Sequence, residues 1–214
     1  MREARGSVQA LTGGQAAVVE ISAAIASADA AAVERESARA IGAGLSPAAL
    51  YETILQSYLF VGFPKAIEAL FAARPVLERA GAIPSAQAAN APSGWESAGE
   101  ALCRKVYGRN YEKLMETMRA LSPDLAGWMI REGYGKTLSR PALGAVEREY
   151  GVIAILTVTR MWRQLRSHAI GAVNVGGTRA GVREAIERCQ PWSDAATVQE
   201  ALRSAGLEAN GARR

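Results

Sequence analysis

Apolar residues recur at intervals of three and four along most of the chain, and no stretch sustains a strict apolar–polar alternation. That period belongs to amphipathic α-helices rather than half-buried strands. From Gln15 to Ala43 the positions Val18, Ile21, Ile25, Val33, Ala40 and Ile41 predict two helices. They break near Ser27-Ala28-Asp29, where Asp29 can cap the second. Gly44 stands where a left-handed residue closes a helix, and Ser46-Pro47 offers an N-cap and a first-turn proline to the next. That helix runs from Ala48 to about Val61 and turns sharply at Gly62-Phe63-Pro64, because proline drives its predecessor out of the helical region. A further helix follows from Lys65 to Ala80, with Pro75 expected to kink or split it.

Residues 81–97 are rich in Ala, Pro, Ser, Gly and Asn, and read as a linker or long loop. Helical spacing resumes over Ala98–Leu121, with Gly108 as a break. Ser122-Pro123-Asp124 opens a short helix reaching Ile130, and Gly133-Tyr134-Gly135-Lys136-Thr137 reads as a loop. That loop is not a phosphate-binding P-loop, which needs a glycine where Ile130 stands. Helices are expected over Leu143–Ala172 and Thr178–Arg188, and a last one over Trp192–Ala205 capped by Ser193. Residues 1–14 and 206–214 are expected to fray or be disordered. The fold class is all-α.

A shift of 132 superposes Ala40–Ser46 on Ala172–Thr178, with Ala48 on Ala180, Glu52 on Glu184 and Ile54 on Ile186. The shared unit is helix, glycine stop, hydroxyl cap and helix, as a duplicated helical fold would have. The expected organisation is an N-terminal helical repeat over 15–80, the linker over 81–97, and a C-terminal repeat over 98–205. In this register the lone histidine, His168, falls on Glu36, so one site per chain is implied.

Composition narrows the chemistry. Hydrophobic residues make up 49% and charged ones 21%, ordinary for a globular protein able to bury a core. No run of eighteen apolar residues or signal-peptide pattern is evident, so no membrane span is expected and a cytoplasmic setting follows by default. The net charge is only +4, and the basic residues are spread among nearly as many acids rather than gathered in a stripe. Nucleic acid is therefore not an expected partner, whereas a small anionic substrate fits. Cys103 and Cys189 stand far apart without a companion at metal spacing, so both should be reduced and packed, with no metal site.

His168 is the candidate proton carrier, since histidine titrates near neutral pH without perturbation. The surrounding blocks resemble the carboxymuconolactone decarboxylase family, whose relatives include the alkylhydroperoxidase AhpD. They are Tyr51–Gln56 leading into Gly62-Phe63-Pro64, Leu138-Ser139-Arg140-Pro141, Glu147-Arg148-Glu149, Gln164–His168 and Gly171–Gly176. The corner precedes the histidine block, which looks like a two-repeat member with divergent halves. In the peroxidase branch a glutamate precedes the histidine by nineteen residues, and a CxxC lies seven and four residues before it. Glu149 and His168 keep the first spacing; Met161 and Gln164 occupy the cysteine positions. Neither forms a thiolate, so thiol peroxidase chemistry at those positions is excluded.

The resemblance then implies cofactor-free decarboxylation of a small carboxylated lactone or related acid in a homotrimer or a multiple of three. His168 would deliver the proton and Glu149 would orient it. Arg163 and Arg166 would hold carboxylates, and Trp162, Gln164 and Met161 would help line the site. A non-catalytic helical oligomer or ligand-binding protein, or a lactone hydrolase or isomerase, are the alternatives. In one straight helix Glu149 and His168 would lie roughly 28 Å apart. The pairing therefore requires a bend, expected between Leu156 and Trp162 where the β-branched Thr157-Val158-Thr159 weakens the helix.

Overall fold

The computed structural model describes residues 10–81 and 91–208, and among them every regular element is helical. Helix α1 (Gly13–Ser27) starts at a capping box, the Thr12 hydroxyl accepting from the Gln15 N–H and the Gln15 side chain accepting from the Thr12 N–H. Ala28 closes α1 in the left-handed conformation and Asp29 caps α2 (Ala30–Gly42). Ser46 caps α3 (Pro47–Arg79), its hydroxyl accepting from the Ala49 N–H. Gly62, at φ +78°, bends α3 at the expected corner. Pro75 does not break it: the backbone stays helical through to Arg79. By length and composition α3 passes as a membrane span. The Gly62 bend divides it into 47–61 and 63–79, each shorter than the ~20 residues a span requires.

The next helix, α4 (Trp95–Tyr107), begins inside the expected linker, of which 82–90 lie outside the described residues. After Gly108, at φ +53°, come α5 (Tyr111–Leu121) and α6 (Pro123–Trp128). The segment expected as a loop around Gly133 is instead the C-terminal part of a π-helix, Met129–Leu138. Its glycine at 135 has a packing cause: a side chain there would collide with the Trp95 carbonyl, and one at Gly99 would collide with the Ile130 carbonyl. These two missing side chains let α4 lie directly on the π-helix.

Helix α7 (Ala145–Val158) and α8 (Trp162–Asn174) follow, then α9 (Arg179–Glu187) and α10 (Ala195–Ser204). The cap of α10 is Asp194, accepting from the Thr197 N–H at 2.7 Å, and not the expected Ser193. Residues 10–12, expected to fray, are held: the N–H groups of Ala10 and Leu11 both donate to Glu184. Residues 1–9 and 209–214 lie outside the described residues.

Adding 132 to α1, α2 and the start of α3 gives 145–159, 162–174 and 179; α7, α8 and the start of α9 match within one residue. The irregular positions follow the same register. Ala28 (φ +61°) corresponds to Arg160 (φ +59°), Gly44 (φ +94°) to Gly176 (φ +110°), and the cap Ser46 to the cap Thr178. Helix α1 packs along α7 at the centre, and each is flanked by its own pair. The matching part of the C-terminal half is thus 145–187. Residues 95–138 form a separate layer, with Cys103, Val106, Tyr111, Met115, Ile130 and Tyr134 in a cluster of their own.

Candidate functional site

Glu149 lies in the middle of α7, whose residues from Arg148 to Thr157 are all buried. The helix ends where the threonines are: Thr157 and Thr159 hydroxyls bond back to the Ile153 and Ile155 carbonyls. Arg160 then turns left-handed, and the Met161 N–H reaches back to the Leu156 carbonyl in a Schellman closure. The chain therefore reverses between Leu156 and Trp162, and α8 returns alongside α7.

This reversal brings His168 Nδ1 to 2.9 Å from Glu149 Oε2. Both residues are nearly sealed, at 6% and 3% exposure. A carboxylate, when ionised, only accepts, so Nδ1–H then donates, and Nε2 has no hydrogen-bond partner among the described residues. Gly171, one turn after His168, makes room for the acid: a methyl there would sit 3.1 Å from Glu149 Oε2 and 2.7 Å from Val106 Cγ1. The Phe60 ring meets the imidazole edge-on at 5.7 Å, limiting its rotation.

His168 faces a cavity of about 530 Å³, while Glu149 lies behind it and outside the lining. Arg163, Gln164, Ser167 and His168 form the α8 wall. Leu114, Met118, Leu121, Leu125 and Trp128 face them from α5 and α6. Tyr107 and Tyr134 line the same cavity, their rings edge-to-face at 6.3 Å. Burial above all, and the Glu149 charge as well, raise both phenols, Tyr107 to about 12, so they stay neutral hydrogen-bond donors. Cys103 lies near Glu149 as well; burial, then the carboxylate, pushes its thiol up to about 12.

No family model matches the chain. It is similar to peroxisomal protein 2 of the fission yeast Schizosaccharomyces pombe, 29% identical over 154 residues, 72% of each protein.

The expected site residues divide into two groups. Glu149, His168, Arg163 and Gln164 come together around or directly behind the cavity. Met161, Trp162 and Arg166 do not line it. Met161 is the N-cap of α8 and half exposed. Trp162 packs instead on the core shared by α7 and α9, and Arg166 is exposed. Tyr58 and Phe63 pack against each other at 5.1 Å, and only Tyr58 reaches the lining. Glu147 is half-buried and accepts from Gln15 Nε2 at 2.9 Å. The α5–α6 wall and the tyrosine pair had no signal in the sequence beyond an amphipathic pattern.

Proposed function

We propose that the chain is a cofactor-free acid–base enzyme of the carboxymuconolactone decarboxylase type, built on a duplicated AhpD-like helical unit. The observation that carries this reading is the 2.9 Å Nδ1–Oε2 bond, with the imidazole on a cavity wall and the carboxylate behind it. In the reaction, the bond between the substrate carbon and its carboxylate breaks and carbon dioxide leaves. The electron pair delocalises into the adjoining unsaturated carbonyl system. Imidazolium Nε2–H then protonates carbon, leaving the neutral ring with Nδ1–H still held by Glu149. Neutral Tyr107 and Tyr134 hydroxyls on the lining can donate to the developing oxyanion. Arg163 can hold a carboxylate. We also assign a homo-oligomer, a trimer or a multiple of three, on the strength of the family resemblance.

The test is a turnover screen against unsaturated carboxylated lactones and related acids, with His168→Ala and Glu149→Gln as controls. Turnover that falls about 100-fold or more in His168→Ala and less in Glu149→Gln is expected. Equal rates in wild type and His168→Ala would refute the assignment. The largely apolar far wall favours one second reading, a ligand-binding protein without turnover, which the same screen would leave silent for every substrate.

A further inference from the structure

The cavity is unlike a site for a small polycarboxylate. Among the described residues Arg163 is the only arginine or lysine lining it, and an acid, Glu132, lines it too. The other possible cation, His168, is already paired with Glu149, so a second anionic group on one ligand would remain poorly compensated on leaving water. The opposite wall is hydrocarbon, and it continues outward: Leu121 is 72% exposed, Leu125 50% and Trp128 61%. Such a cluster of large apolar side chains at a cavity mouth marks a surface that meets another apolar group. Arg163 has no acidic partner among the described residues, so its guanidinium is free to take an anion. It stands on the same helix as His168, roughly 7 Å away along the axis.

We infer that the cavity takes a largely apolar molecule with a single acidic group, its hydrocarbon body against α5–α6 and its acid at Arg163. This rests on the cavity being the substrate site, and it narrows the substrate class there. A volume of about 530 Å³ falls within the ~300–1,000 Å³ of small-molecule sites, enough for a medium-chain fatty acid or a fused-ring aromatic acid.

The experiment is calorimetric titration of the full chain with decanoate, decanol and cis-aconitate, a small unsaturated tricarboxylate. Decanoate is expected to bind and cis-aconitate not detectably. Arg163→Gln should weaken decanoate about tenfold and leave decanol unchanged. Met118→Trp, which fills the cavity, and Leu121→Glu, which charges its rim, should each weaken both by about tenfold or more. Leu121 is exposed, so that variant folds even where the larger Met118 side chain is not accommodated. Absence of decanoate binding, tighter binding of cis-aconitate, or wild-type affinity in Leu121→Glu overturns the inference. These titrations need no turnover. A refuted ligand class therefore leaves proton chemistry at His168 standing, and an inert His168 leaves the ligand class standing.

Discussion

Replacing Gly171 by alanine tests whether Glu149 is positioned by the tight contact between α7 and α8. The added methyl would lie 2.7 Å from Val106 Cγ1 and 3.1 Å from Glu149 Oε2. Ordinary carbon contacts are ~3.5–4.0 Å, so Val106 or α8 must give by about 1 Å. Overpacking of this kind costs about 1–3 kcal/mol, and alanine's helix preference over glycine returns about 1 kcal/mol. The net loss is about 0–2 kcal/mol, a fall in Tm of no more than about 8 °C for a chain of this size. The larger effect falls on the acid. Its 2.9 Å bond to His168 needs to lengthen by only about 0.6 Å to pass the limit of a hydrogen bond. The chain has one histidine, so its imidazole nitrogen signals in NMR need no assignment. With the ring neutral, the wild type should show the Nδ1–H tautomer, and Gly171→Ala a mixture in which Nε2–H grows. Adding Val106→Ala should recover most of the stability without restoring the tautomer, because Glu149 is still crowded. A tautomer unchanged in Gly171→Ala would refute the claim that this glycine keeps the acid in place.

Two further outcomes concern groups outside the cavity lining. Arg148 is buried and donates to Glu52, Gln56 Oε1, the Leu143 carbonyl and the Arg140 carbonyl, so Arg148→Met strands the Glu52 charge with Arg140 alone. Urea unfolding should show a loss of about 3–5 kcal/mol, larger than that of the Glu52→Leu/Arg148→Met pair; a loss under about 1 kcal/mol would contradict it. Burial holds both thiols at about 12, against an ordinary 9.0. An acid raised in the fold contributes stability that is complete below the unfolded value. Stability should therefore decline from pH 9 towards 12, by about 1.4 kcal/mol per pH unit for each thiol, and Cys103→Ala/Cys189→Ala should flatten that slope.

How far the chain was legible depends on how local each cause is. Helix ends written in caps and glycines, such as Ser46, Gly62 and Thr178, stand within a residue or two of their expected places. The reversal that brings Glu149 to His168 follows from β-branched residues next to each other in sequence. The π-helix was not legible, because Gly135 looks like turn punctuation until the Trp95 carbonyl, forty residues earlier, is laid against it. For the same reason the cavity's far wall could not be named. Leu121, Leu125 and Trp128 form an ordinary amphipathic face until 95–138 docks on α8. Met161 came into the expected site only through the cysteine position of the family pattern, and as the half-exposed N-cap of α8 it does not line the cavity.

On the proposed reading, the two halves differ in what equips a repeated helix pattern as a candidate site. In the shared register Glu149 corresponds to Ala17, His168 to Glu36 and Gly171 to Arg39. Where the C-terminal half places an imidazole on a buried carboxylate, the N-terminal half places Glu36 between Arg35 and Arg39 on α2. Those arginines are more than half exposed, so that pairing contributes little beyond the surface. The backbones agree at both places, even to the left-handed residues Ala28 and Arg160. What differs is the neighbour. Helix α2 packs on α1 and α3, whereas α8 also receives α4 from the 95–138 layer. That layer contributes the hydrocarbon wall and the tyrosine pair, and with them the low-dielectric surroundings in which a proton donor acts most strongly. On the proposed reading a histidine serves only on the half that has such a wall, which is why the repeated helix pattern carries one candidate site.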